Sequence, residues 1–168
     1  MYYKSLDDLK AAGFQGFIPV SELQSGKIVS VPEEPGIYMV VIPEGFIPVF
    51  LPVGTGGHFK EKDPNVRTGI LESSWVMDTC VIYIGKAGGK TSSSTLRKRL
   101  KQYVRFGAGD PVGHWGGRYI WQLKDSGRLL VCWRPSAPDE DARLMESSLI
   151  SGFKDLYGGQ RPFANLVD

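Results

Sequence analysis

Apolar residues along the chain fall into short unbroken runs and two segments of helical period. Ile37-Tyr38-Met39-Val40-Val41-Ile42 is an uninterrupted apolar run that ends at Pro43, which predicts a buried strand. The turn cluster Val31-Pro32-Glu33-Glu34-Pro35-Gly36 leads into it. Residues 80–84, Cys-Val-Ile-Tyr-Ile, are the clearest second strand. Residues 46–53 read as a hairpin partner of the first strand, demoted by Pro48 and Pro52 to an edge strand or an irregular segment. Residues 118–123 and 128–133 read as two more strands around the turn signal Asp125-Ser126-Gly127.

Helical spacing predicts a short helix over residues 6–12 and a basic amphipathic one over 95–106. A third follows Ser136-Ala137-Pro138-Asp139, which supplies an N-cap, a first-turn proline and early acids, and runs to about Tyr157. Gly158-Gly159 stops it. Residues 54–79, first Gly-rich and then rich in Lys, Asp and Pro, read as a long inserted segment with one short helical turn. There are no repeats and no linker. The pattern therefore predicts one α+β domain over residues 1–168, built on a mostly antiparallel sheet. Residues 1–34 form a lead-in, and 43–79 an insertion between the first two strands.

Composition supports this picture. With 42% hydrophobic and 11% aromatic residues in 168, the chain can bury a real core and does not have the composition of a disordered one. No apolar stretch approaches the roughly 20 residues that span a bilayer, so no membrane partner is expected. The start, Met1-Tyr2-Tyr3-Lys4-Ser5-Leu6, lacks the layout of a secretory signal. Cys80 and Cys132 fit neither a disulfide framework nor a metal knuckle. A cytoplasmic protein with reduced thiols is the expectation.

Charge adds an asymmetry. Residues 80–109 hold Lys86, Lys90, Arg97, Lys98, Arg99, Lys101 and Arg105 and no acid, so against a net charge of +2 the rest of the chain is negative. On the helix, Arg97, Lys98, Lys101 and Arg105 point away from the apolar stripe, where they can meet the backbone phosphates of nucleic acid. Charge alone is equally compatible with a solvated helix face.

One motif fails on spacing. Gly85-Lys86-Ala87-Gly88-Gly89-Lys90-Thr91 is close to a phosphate-binding P-loop, but the position that must be the first glycine is Ile84. Polar residues on apolar faces are more informative. At 100° per residue, Ala142, Leu149, Ile150, Phe153 and Tyr157 fall within about 60° of Glu146. A carboxylate in such a stripe needs a cation or donors. It is a glutamate at the mouth of the core, a structural partner of an arginine, or a ligand for a hard divalent ion. Arg99 lies beside Leu96 and Tyr103, where a guanidinium could clamp a phosphoryl group or pair with Glu146. Tyr38 and Tyr83, taken singly, read as core residues. Beside Lys86, Arg99 and Glu146, a tyrosine can take a proton from an attacking water.

Gly36-Ile37-Tyr38, Tyr83-Ile84-Gly85-Lys86-Ala87, Leu96-Arg97-Lys98-Arg99-Leu100-Lys101-Gln102-Tyr103, Glu146 and Asn165 together resemble the GIY-YIG endonuclease domain family. The motifs are most similar to the nuclease domain of the bacterial nucleotide-excision-repair incision enzyme, and the likeness covers roughly residues 35–166. The resemblance implies a small fold with a three-stranded antiparallel core sheet flanked by helices, here with insertions. It implies an endonuclease that hydrolyses phosphodiester bonds of nucleic acid, DNA rather than RNA, with one Mg²⁺ or Mn²⁺ held by Glu146. Tyr38 and Tyr83 would line the site, one of them activating water. Lys86 would assist that deprotonation or contact the phosphate, and Arg99 would stabilise the pentavalent phosphate. Tyr103 stands where many members carry histidine, and Asn165 would orient the site through hydrogen bonds. A binding or assembly module on the same scaffold, with little or no turnover, is the alternative reading.

The departures are residues 39–82, which replace the family's short hairpin, and the insertion at 88–94. His114-Trp115-Gly116-Gly117-Arg118-Tyr119-Ile120-Trp121 matches no part of the family pattern. It reads either as a packed aromatic turn or as a substrate loop, with aromatic rings stacking on bases and Arg118 meeting phosphate. His58 and His114 form no ligand cluster by spacing. Most family members fuse the nuclease to a targeting domain, which this length is not expected to hold, so specificity would come from the insertions, from a homodimer, from a targeting partner, or hardly at all.

Overall fold

The computed structural model describes residues 3–168. Four strands, β1 (Gln15–Pro19), β2 (Gly36–Val41), β3 (Val81–Ala87) and β4 (Leu130–Pro135), form one antiparallel sheet in the order β1-β4-β2-β3. β2 is interior and every one of its six residues is buried, which accounts for its unbroken apolar run. The expected three-stranded core sheet is thus a four-stranded one, and the fourth strand comes from the lead-in. β1 escaped pattern reading because a bulge between Gly16 and Ile18 breaks its alternation, with Gly16 and Phe17 both at positive φ. A Cβ on Gly16 would stand 2.5 Å from the Trp133 ring, so the bulge is shaped around that indole.

The expected strand over 118–123 is instead a buried 3-10 turn, Arg118–Gln122, entered through Gly117 in the left-handed region. The expected hairpin at Asp125-Ser126-Gly127 is a second 3-10 turn, Ser126–Arg128, behind a left-handed Asp125. β4 therefore starts only at Leu130. Residues 46–53 are irregular, with one isolated bridge from Phe50 to Leu123.

Among the described residues, five α-helices accompany the sheet. α1 (Leu6–Ala11) is closed by a Ser5/Asp8 capping box. α2 (Val20–Gln24) follows β1, and α3 (Thr68–Ser74) is the helical piece of the insertion. α4 (Leu96–Gly107) starts at Thr95, whose hydroxyl accepts the Lys98 N–H. α5 (Ala142–Leu156) is capped by Asp141 rather than by the Ser136 region. Residues 136–141 are drawn into a turn of their own, in which the Glu140 carboxylate accepts the Ala137 N–H at 2.9 Å. Gly158 and Gly159, both at positive φ, end the α5 region as anticipated.

Strand alternation divides the core in two. Tyr38, Val40, Ile82, Val131 and Trp133 face α4, with Leu96, Leu100, Tyr103 and Val104. Ile37, Met39, Val41, Ile84 and Cys132 face the other way, onto Leu9 of α1 and Ala142, Ile150 and Phe153 of α5. Much of the inserted segment lies on the α4 side. Buried Gln122 stitches it down: its Oε1 accepts the Val66 N–H at 2.8 Å, and its Nε2 donates to the Leu51 and Val66 carbonyls at 3.0 and 2.8 Å. The Gly57 N–H donates to the Phe106 carbonyl at the end of α4 (2.8 Å). Among the described residues no helix is long and apolar enough to cross a membrane.

Candidate active site

The antiparallel register sets Tyr38 opposite Gly85. A Cβ at residue 85 would stand 2.4 Å from the Tyr38 ring carbon Cζ, so only glycine lets the tyrosine cross its neighbouring strand there. Tyr38 from β2, Tyr83 and Lys86 from β3, Arg99 from α4 and Glu146 from α5 then line one cleft of about 420 Å³. Four elements distant in sequence thus deliver five of the seven anticipated residues to one cavity.

The other two stand behind it. Tyr103 is fully buried, donates its hydroxyl to the Gly117 carbonyl at 3.3 Å and packs against Tyr83, with ring centroids 5.6 Å apart. Asn165 accepts the Ile84 N–H at 2.9 Å and donates to the Ile84 carbonyl at 2.8 Å. Its side chain imitates a neighbouring strand along the outer edge of β3, fixing the backbone between Tyr83 and Gly85.

Pattern reading missed five residues at the site: His114, Gly116, Gly117, Ser92 and Ser94. His114 has no solvent exposure; its Nε2 lies 3.2 Å from the Tyr38 hydroxyl and its Nδ1 2.9 Å from the Gly116 carbonyl. Spacing in the sequence gave no sign of this, because Tyr38 is its partner across 76 positions. The adjacent Gly116 and Gly117 run against the Tyr83 ring, where added Cβ atoms would meet it at 3.0–3.2 Å. Ser92 and Ser94, from the 88–94 insertion, line the same cleft. Serine in a Gly/Ser stretch carries no signal of its own.

Burial governs the electrostatics. It raises the pKa of the Tyr38 phenol, against the pull of the Arg99 guanidinium, and puts Tyr83 and Tyr103 well above the ordinary tyrosine value. Burial, with Arg99 adding to it, pushes His114 down to about 3, so the imidazole is neutral. Burial raises Glu146 as well, while Lys86, Arg99 and Arg143 oppose the rise. No ion pair joins Glu146 to Arg99 or Lys86 among the described residues. The carboxylate therefore faces two cations across the cleft without being neutralised by direct contact.

As for metal binding, Glu146 is the only carboxylate lining the cleft, and no group of three or more His, Cys, Asp or Glu is placed to hold an ion among the described residues. One half-buried carboxylate in a roomy polar cavity fits a hydrated hard cation, completed by waters and phosphate oxygens; it does not fit a protein-built cage.

The basic helix is divided. Arg97 donates to the Val31 carbonyl at 2.7 Å and to Glu33 at 2.5 Å, and Arg105 pairs with Asp110 at 2.7 Å. Lys98 and Lys101 are exposed and have no acidic partner among the described residues. Arg118 lies outside the cleft lining. Its guanidinium stands 4.6 Å from the Trp115 ring and 5.4 Å from Tyr119, with Nε buried and unpartnered.

Comparison of the chain with protein-family models, curated proteins and solved structures finds no match.

Proposed function

We propose that the chain is a divalent-metal-dependent endonuclease of the GIY-YIG type, cutting nucleic acid, DNA in the first instance, by in-line attack of water on a phosphodiester. The observation that supports this reading is the cleft shared by Tyr38, Tyr83, Lys86, Arg99 and Glu146. A phosphodiester seated there meets two cations, two phenols and one carboxylate. Phosphoryl transfer asks a protein chiefly for positioning and for stabilisation of charge, and this set can supply both.

Arg99 presents a planar donor fork to the phosphate oxygens as negative charge accumulates on them. Lys86 adds a second positive charge at the same phosphate and can hold a proton there. One tyrosine meets the attacking water. Glu146 would hold the Mg²⁺ or Mn²⁺, which when bound supplies Lewis-acid stabilisation of the departing oxygen. Asn165 holds β3 so that Tyr83 and Lys86 keep their places. Lys98 and Lys101 carry the unpaired positive charge that can follow the flanking phosphates.

The test is nicking of supercoiled plasmid and of short single-stranded and branched DNAs in Mg²⁺ or Mn²⁺, against EDTA, with Glu146→Gln in parallel. The variant is expected to lose about 10³-fold or more in rate while melting no lower than the parent, because burial already works against the charged carboxylate. Undiminished cutting by the variant would overturn the reading. Retained, salt-sensitive binding with no metal-dependent cutting by the parent protein would favour a binding module on the same scaffold.

A further inference from the structure

This inference rests on the nuclease reading and deepens it by separating the roles of the two tyrosines. Both reach the cleft, and they are joined by a side-chain hydrogen bond in which Tyr83 donates and the Tyr38 oxygen accepts, so what separates them is where the Tyr38 proton goes. The Gly116 carbonyl can only accept a hydrogen bond, so His114 Nδ1, 2.9 Å away, must be the nitrogen that carries the proton. In a neutral imidazole the other nitrogen is then a bare lone pair. That nitrogen, Nε2, is 3.2 Å from the Tyr38 hydroxyl, which must therefore be the donor. No ring nitrogen or carboxylate takes the Tyr83 proton in this way among the described residues.

We propose that His114 is a positioning residue that makes Tyr38, and not Tyr83, the tyrosine that accepts a hydrogen bond from the attacking water and aligns it. With its proton committed to Nε2, the Tyr38 oxygen acts only as an acceptor on its cleft side, where Tyr83 and Arg99 already donate to it and the attacking water must share it. A water donating to that oxygen has its own lone pair free for phosphorus. His114 remains a hydrogen-bond acceptor throughout and takes up no proton. The proton that the water loses as the new P–O bond forms passes to a non-bridging oxygen of the phosphate. The departing alkoxide takes a proton from Lys86, and the acidic phosphate monoester so formed returns one to the lysine. Tyr103 supports the imidazole, its ring centroid 4.6 Å away, and the Gly116-Gly117 turn carries the loop across the tyrosines.

The experiment has two arms, both on the full chain. Nitrogen-15 NMR of wild-type His114 reads the tautomer directly; protonated Nδ1 and bare Nε2 are expected, and the reverse tautomer would overturn the proposal. Single-turnover plasmid nicking in Mg²⁺, with DNA affinity measured in EDTA, reads the consequence. Tyr38→Phe and His114→Leu are each expected to lower the rate by about 10²-fold, the size of effect that misplacing a reacting group produces, with affinity unchanged. His114→Gln, whose amide oxygen can accept from Tyr38, is expected to recover most of that loss. Such a rescue, in the rate and not in affinity, is something a merely packing role would not produce. Tyr83→Phe is expected to cost less than Tyr38→Phe. A His114→Leu variant no slower than Tyr83→Phe, a His114→Gln variant as slow as His114→Leu, or a Tyr83→Phe variant slower than Tyr38→Phe, would overturn the proposal and leave the nuclease reading standing. Should His114→Leu not fold, the Gln variant and the wild-type tautomer decide. Absence of cutting by the wild-type protein would overturn both readings together.

Discussion

The two faces of the sheet are built from the same strands and do different things. One face meets α1 and α5 through Ile37, Met39, Val41, Ile84, Ile150 and Phe153, which are hydrocarbon or thioether throughout. The other buries three phenols and an imidazole against α4, with Trp121 behind them. Alternation along β2 puts Ile37 and Met39 on the first face and Tyr38 on the second. The first face has only to exclude water. The second excludes water and also fixes hydroxyl directions, since a buried polar group must find a partner. Glu146 joins the two: its helix packs on the hydrocarbon face, and its carboxylate reaches the cleft at the edge of the polar one. The hydrocarbon side sets how stable the molecule is, and the polar side sets what its stability depends on.

The largest effect expected from that difference is on acid stability. His114 titrates at about 3 in the folded chain against an ordinary value of 6.5. The unfolded chain therefore takes up a proton first as pH falls. The stability conferred by the neutral imidazole is fully present above pH 6.5 and is lost progressively between 6.5 and 3, a total of roughly 5 kcal/mol. Urea unfolding at a series of pH values should show this slope in the parent and a much flatter profile in His114→Gln. A parent profile that is flat between pH 6.5 and 4 would mean that the imidazole is not buried as described.

The hydrocarbon face predicts the opposite behaviour. Ile150→Ala should cost about 2–5 kcal/mol at every pH, as a truncated core residue does, with the spread set by how far the site collapses. Cleavage per folded molecule should be unchanged, because Ile150 does not line the cleft. A variant that lost cleavage while retaining its fold would show that the two faces are coupled through α5, and the comparison would have to be redrawn.

The same contrast explains which parts of the molecule pattern reading could reach. β2, β3, α4 and α5 were legible because each carries a continuous apolar run or a stripe at helical spacing. Glu146 and Arg99 were legible because they interrupt or border such a stripe. β1 was not, since Gly16 and Phe17 take left-handed backbone around the Trp133 ring and destroy the alternation that marks a strand. Residues 118–122 were misread because a buried 3-10 turn and a short strand present the same apolar content; what separates them is the left-handed backbone of Gly117. His114 lay beyond reach for a different reason. Its significance is a single hydrogen bond to a residue in another element, and no local period encodes that.

A smaller effect sharpens the picture at the edge of the sheet. Asn165→Ala removes both bonds to Ile84 and leaves its N–H and C=O half-buried without partners, which should cost about 1–3 kcal/mol. Hydrogen exchange at the Ile84 amide should accelerate more than at Met39 in the central strand. Equal acceleration at both would mean global loosening rather than release of one edge.

The smallest effect separates the four cations of α4 other than Arg99. All four point away from the core, yet Arg97 and Arg105 are already held by Glu33 and Asp110. A phosphate must compete with those carboxylates, whereas Lys98 and Lys101 meet it freely. Lys98→Ala and Lys101→Ala should each weaken binding to any DNA sequence and reduce the salt slope by about 1. Arg97→Ala and Arg105→Ala should change that slope less, because each also frees an acid that was neutralised. Binding isotherms at several salt concentrations, with metal withheld to prevent cutting, give the four slopes directly. Equal slopes for all four variants would place the strand along the whole helix and show that the two ion pairs open when nucleic acid arrives.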